Sequence, residues 1–162
     1  LLTMQTSKSA AYKGVMALIL QDSPLDFMTG HRMDIASYID EDADIHHIFP
    51  QTYCERKNLP RIKWNSVINK TPIYASSNRS IGGHAPSIYI GTMANKGLMQ
   101  VQIQEAIESH KINYAHLVSD DFNAYFVDRA KQLLDRIEIA TGKSVSGRDS
   151  EETIREFGFS LI

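Results

Sequence analysis

The amino-acid sequence predicts an α+β domain that is mainly helical, with a small β component near its middle. Three observations predict this class. Phe122, Tyr125, Phe126, Ala130, Leu133, Leu134 and Ile137 recur at the spacing of one helix face. Residues 45–49 and 67–74 are short runs rich in β-branched and aromatic side chains, the composition of strands. With 162 residues and 43% hydrophobic content, the chain can bury one sizeable core, so one compact domain is expected.

Taken in order, residues 7–21 read as a helix. Ala10, Ala11, Val15, Met16, Leu18, Ile19 and Leu20 form its apolar stripe, and Asp22-Ser-Pro24 ends it. Residues 24–40 form a connection containing Gly30, with a short segment at 35–39. The run 40–44 then sets four carboxylates ahead of the first strand. After Pro50, residues 51–58 fit a short helix carrying Tyr53 and Cys54, and Pro60 separates it from the second strand's approach. Pro72 lies inside the second strand and confines it to an edge, because proline cannot donate to a ladder. Residues 76–81 form a short helix with Ser76 or Ser77 as N-cap and Gly82-Gly83 as its stop. Helices are also expected at 86–93, at about 98–110 and at 120–141. The last is the clearest, with Asp120 and Asp121 at its positive end and Gly142 at the other. The tail from 144 onward is polar until Phe157-Gly-Phe159-Ser-Leu-Ile162, and there are no internal repeats.

Composition excludes several classes. No apolar run approaches the roughly 18 residues that span a bilayer, and the start carries no signal pattern, so no membrane association and a cytoplasmic location are expected. The single Cys54 excludes an intrachain disulfide and paired-cysteine zinc sites, leaving nitrogen and oxygen as metal ligands. A net charge of −2 argues weakly for nucleic-acid binding. Its distribution argues better. Residues 51–80 hold Arg56, Lys57, Arg61, Lys63, Lys70 and Arg79 against Glu55 alone. A chain opening on Leu1-Leu2 without Met reads as a piece of something longer.

The chemistry concentrates at the two ends of residues 44–86. At one end Asp44-Ile-His-His-Ile-Phe-Pro-Gln51 puts adjacent imidazoles on a rigid apolar segment; at the other stand Asn69-Lys70 and Asn78-Arg79 before Gly82-Gly83. Neighbouring strand residues point to opposite sides, so His46 and His47 suit a division of labour better than joint binding of one ion. Hydrolysis of a phosphodiester needs a base for the attacking water and a cation at the leaving oxygen, roughly in line. Either histidine could serve either end. Asp44 shares a strand face with His46, and His84 is a further candidate ligand. His31, His110 and His116 stand apart from these motifs, and Trp64 reads as core or as a stacking platform.

Residues 44–86 resemble the HNH, or ββα-metal, nuclease motif. The match is to Asp-His-Ile-x-Pro-Gln, then Asn-Lys, then Asn-Arg with the nine-residue step from Asn69 to Asn78. The chain is similar to the HNH domain of RNA-guided CRISPR effectors. Over most of its length it also resembles the C-terminal region of GmrSD-like bacterial restriction proteins, in which a ParB-like nucleotide-hydrolysing domain precedes the nuclease. The resemblance implies His47 as general base and His46 and Asn78 as metal ligands; Asp44 and His84 remain the lesser alternatives that position alone offers. It makes Asn69 a brace of the loop that helps orient the base, and Arg79 with Lys70 phosphate contacts. His46 stands where many members have Asp, and Asn78 where others have His, so the ligand pair is uncharged and metal affinity is expected to be weaker. Mg²⁺ or Mn²⁺ is the expected ion, with Ni²⁺ or Co²⁺ as substitutes.

These roles divide the chain into residues 1–43, an N-terminal helix and connection; 44–94, the nuclease motif; and 95–162, the helical remainder of the same domain. The implied function is a DNA endonuclease or nickase of bacterial restriction or antiviral defence, partnered by an upstream NTPase domain. One such site cuts one strand, so a double-strand break implies two encounters or a homodimer. The alternatives are a catalytically silent DNA-binding or interaction module, and an RNase or toxin-like nuclease.

Overall fold

The computed structural model describes residues 1–39 and 43–162. The acidic residues Asp40, Glu41 and Asp42 lie outside the described residues. The fold is α+β, with ten helices and one two-stranded antiparallel sheet among the described residues. None of these helices is long and apolar enough to cross a membrane.

Helix α1 (Ala10–Gln21) starts with its apolar stripe and later than the expected residue 7, because the Ser9 side chain accepts from the Tyr12 amide and caps it there. The short α2 (Ile35–Ile39) precedes β1 (Ala43–His47), which pairs with β2 (Lys70–Tyr74). Both strands are displaced from the expected runs. Ile48 and Phe49 leave the ladder for the core, and residues 67–69 form a 3₁₀ turn instead of extending β2. Pro72 lies opposite Ile45 and is tolerated because β2 has a neighbour on one side only.

Between the strands lie α3 (Gln51–Arg56) and α4 (Arg61–Trp64), the second of which hydrophobic spacing did not signal. Helix α5 (Ala75–Ile81) follows β2 without a loop. Its N-terminus corrects the expected serine cap: no side chain caps it at Tyr74, and Ser77 is buried and donates to Asp26 at 2.6 Å. The fully buried Asp26 carboxylate also accepts from the amides of Met28, Thr29 and Tyr74, tying the loop after α1 to the junction of β2 and α5. Saturating a buried carboxylate with donors is the condition for placing it there.

The remaining helices are α6 (Pro86–Asn95), α7 (Gln100–Glu108), α8 (Tyr114–Val118), α9 (Phe122–Thr141) and α10 (Glu151–Phe157). The expected helix at 120–141 begins two residues late. The Asp121 side chain accepts from the Ala124 amide as the cap, while Asp120 takes a left-handed φ of 52° and accepts from Ser87. The apolar face of α9 is core: Phe122, Tyr125, Phe126, Ala130 and Leu133 pack in the same buried cluster as α1, Phe49 and Ile68. Arg129, on that face, is fully buried and spends its guanidinium on the carbonyls of Ile68, Lys70 and His110. The helical layer therefore grips the entry to β2 directly.

Candidate active site

His46 and His47 end β1, and Asn78 sits one turn into α5. Because α5 starts where β2 stops, the register that pairs His46 with Thr71 also carries Asn78 back over His46. His46 Nδ1 lies 2.9 Å from Asn78 Oδ1, and Asn78 Nδ2 donates to Asp44 Oδ2 at 2.7 Å. These partners fix the direction of the amide. A carboxylate can only accept, so Asn78 turns Nδ2 to Asp44 and Oδ1 to His46, and His46 donates through Nδ1–H. The other ring nitrogen, Nε2, is buried without a hydrogen-bond partner among the described residues, and the imidazole stands roughly perpendicular to the rings of Phe27 and Tyr89. Burial, aided by the neighbouring His47, pushes the His46 imidazole down to about 4 against the pull of Asn78, so it is neutral at physiological pH.

These donors fit a divalent cation. Two ligands in adjacent positions of an octahedral shell with bonds of about 2.1 Å stand about 3.0 Å apart, close to the separation of His46 Nδ1 and Asn78 Oδ1. Ligation would require the His46 proton to move to Nε2, which is buried with no hydrogen-bond partner among the described residues. Asp44 adds what the uncharged pair lacks, a carboxylate one hydrogen bond behind the Asn78 amide. Among the described residues no three His, Cys, Asp or Glu side chains form a ready cage, so such an ion would take its remaining ligands from water and substrate.

His47 faces the other way yet reaches the same cleft, a space of about 240 Å³ lined by Ile45, both histidines, Pro50, Asn78 and Gly83 among others. It is half-buried, stands edge-on to the Trp64 ring with centroids 5.9 Å apart, and places Nε2 3.4 Å from Asn65 Oδ1. Burial first, then the Lys70 charge, holds its proton affinity below the ordinary value, with Asn65 opposing. It is thus held toward the neutral imidazole. The far wall depends on a glycine. A Cβ on Gly83 would collide with Thr52 Oγ1, and Thr52 already donates to the Gly83 carbonyl.

Asn69 is fully buried and braces the turn between strands. Its Oδ1 accepts from the Phe49 amide and its Nδ2 donates to the carbonyls of Phe49 and Trp64, each at 2.9 Å. None of these bonds reaches a histidine; the carbonyl it holds at Trp64 belongs to the residue whose ring stands against His47. Arg79 is exposed beside Asn78 and makes no ion pair with a described residue. Lys70 is a correction. Although it pairs with His47 in the ladder, its ammonium is buried and donates to the Gln5 carbonyl at 2.6 Å, so it does not offer itself to a phosphate. His84 is exposed and does not line the cleft. Gln5, Asp26, Thr52 and Asn65 were not signalled by sequence, since each reaches the site from outside the motif or by an unremarkable residue type.

Against known proteins, the chain is 31% identical over 156 aligned residues to an uncharacterized protein of the archaeon Methanocaldococcus jannaschii, an alignment covering 83% of this chain. The chain spans about a quarter of that relative, 26% of its length. No family model matches the chain, and no solved structure matches it.

Proposed function

We propose that this chain is a metal-dependent DNA endonuclease or nickase with an HNH, or ββα-metal, site. One observation carries the reading: His46 Nδ1 and Asn78 Oδ1 stand 2.9 Å apart where a β-hairpin runs directly into a helix, with His47 opening onto the same cleft. His46 and Asn78 would hold the ion. Mg²⁺ or Mn²⁺ suits one imidazole and oxygen donors, with Ni²⁺ or Co²⁺ as substitutes, and when bound it neutralises charge on the leaving oxygen. His47 takes the proton of the attacking water as the new phosphorus–oxygen bond forms and the bond to the leaving oxygen breaks. Arg79 offers two parallel N–H groups to non-bridging phosphate oxygens, a geometry lysine lacks. Asn69 positions and does not react.

The wider setting rests on the sequence resemblance: the nuclease portion of a longer cytoplasmic protein of bacterial restriction or phage defence, downstream of an NTPase domain. The deciding experiment is cleavage of supercoiled plasmid in EDTA, Mg²⁺, Mn²⁺ and Ni²⁺, beside the His47→Ala variant. Nicking that needs metal and disappears in His47→Ala is expected. Duplex binding that is equal in both proteins, with no cleavage under any metal, would make the chain a silent binding module instead. Faster cleavage of RNA than of DNA would move it to the ribonucleases.

A further inference from the structure

The segment before α1 reaches into the site by a route the motif does not contain. The Met4 carbonyl accepts from the Val67 amide at 2.7 Å, and the Gln5 carbonyl accepts from the Lys70 ammonium, so residues 4 and 5 are pinned against the turn beside the base. From there a line of side chains runs to His47. Gln5 Nε2 faces the Leu2 carbonyl at 3.5 Å, Asn65 Nδ2 faces Gln5 Oε1 at 3.3 Å, and Asn65 Oδ1 faces His47 Nε2 at 3.4 Å. These bonds are long and individually weak. Their direction is what matters.

A backbone carbonyl can only accept, so Gln5 must turn its NH₂ toward Leu2 and its oxygen toward Asn65. Asn65 must then spend its NH₂ on Gln5 and present Oδ1 to His47. An oxygen at that place accepts only from a protonated Nε2, which leaves Nδ1 with the lone pair. We infer that Asn65, oriented by Gln5, is a positioning residue that fixes the tautomer of His47 and thereby makes Nδ1 the nitrogen that receives the proton. The inference rests on the nuclease reading for its catalytic consequence but not for the tautomer itself. Asn65 touches neither phosphate nor ion in this role, and it lies on the strand-connecting excursion, four residues before the bracing Asn69.

The test is long-range proton–nitrogen NMR of the ¹⁵N-histidine-labelled chain, at a pH where the imidazoles are neutral, with plasmid kinetics in parallel. The unmodified chain should show His47 as a single tautomer protonated at Nε2. In Asn65→Leu the two ring-nitrogen shifts should move toward each other as both tautomers become populated. Its kcat should fall on the order of ten- to a hundredfold at unchanged KM, the scale of losing a partner that orients a reactive side chain. Gln5→Leu, which keeps Asn65 but frees its amide to turn, should change both readouts in the same direction and by less. It also guards against misfolding of the Asn65 variant. A proton on Nδ1 in the unmodified chain overturns the inference. So does an unchanged kcat in Asn65→Leu while His47→Ala is inactive, which would leave the nuclease reading standing. Cleavage by no variant, with the tautomer as stated, would remove the nuclease reading and leave the tautomer assignment in place.

Discussion

Two asparagines nine residues apart do opposite work, and their burial tells them apart. Asn69 uses its amide on three backbone groups inside the core, whereas Asn78 sits at the cleft with one bond to His46 and one to the exposed Asp44. Stranding a buried donor or acceptor costs about 1–3 kcal/mol. Asn69→Ala strands the Phe49 amide and takes a donor from two carbonyls, so it should lower unfolding free energy by about 3 kcal/mol or more in urea titration. Asn78→Ala should cost no more than about 1–2 kcal/mol in the same titration, yet abolish metal-dependent cleavage or shift it to much higher metal concentration. Equal stability losses in the two variants would contradict the division of roles. The sequence separated them only by resemblance, since both are an Asn before a basic residue. Lys70 shows the limit of that method. The resemblance made it a phosphate contact, but the chain 65 residues earlier holds its ammonium at the Gln5 carbonyl.

At the scale of elements, what was legible was local. Apart from α4 and the turn at 67–69, the strand-and-helix order of residues 43–81 follows from β-branched runs, prolines and the Gly82-Gly83 stop, and the helix at 122–141 from its apolar period. What was not legible depended on distant partners. Residues 67–69 have strand composition but turn: the Asn69 amide donates back to the Ser66 carbonyl, and the Asn69 side chain holds the Phe49 amide, which points away from the ladder. Ser77 looks like a cap but is drawn to Asp26, 51 positions away. The packing of α3 against the turn after α5 gives the sharpest prediction at this scale. Gly83 has no positive φ to explain it; the reason for glycine is the space taken by Thr52. Gly83→Ala should destabilise the protein by about 1–3 kcal/mol and reduce cleavage by displacing one wall of the cleft. Adding Thr52→Ala should recover most of that loss, because the colliding hydroxyl is removed. A double variant no more stable than Gly83→Ala would show that the crowding is not with Thr52.

Across the whole molecule, the sheet is held from behind by buried cationic and neutral polar groups with no carboxylate among their described hydrogen-bond partners. Arg129 is held by carbonyl dipoles, and its neighbour His110 is fully buried. His110 bonds Thr71 Oγ1 at 2.6 Å and the Leu25 carbonyl at 2.8 Å. The carbonyl must accept, so Nε2 carries the proton and Nδ1 accepts from the Thr71 hydroxyl. A second proton would have to displace that bond. Burial pushes this imidazole down to about 3, with the Arg129 charge adding to the effect and the Leu25 carbonyl opposing it. In the unfolded chain the same ring titrates near ~6.5, so below that pH the unfolded state binds a proton that the folded state refuses. Stability from this group is therefore complete above pH ~6.5 and falls as the solution is acidified toward the folded value. Between neutrality and pH ~5 the loss from His110 alone is about 2 kcal/mol. His110→Gln offers a neutral donor and acceptor in its place. Urea titrations at both pH values should find the variant less stable at neutrality but losing about 2 kcal/mol less on acidification. Parallel pH profiles for the two proteins would mean that His110 takes up its proton without unfolding, and that its bonds to Thr71 and the Leu25 carbonyl yield before the fold does.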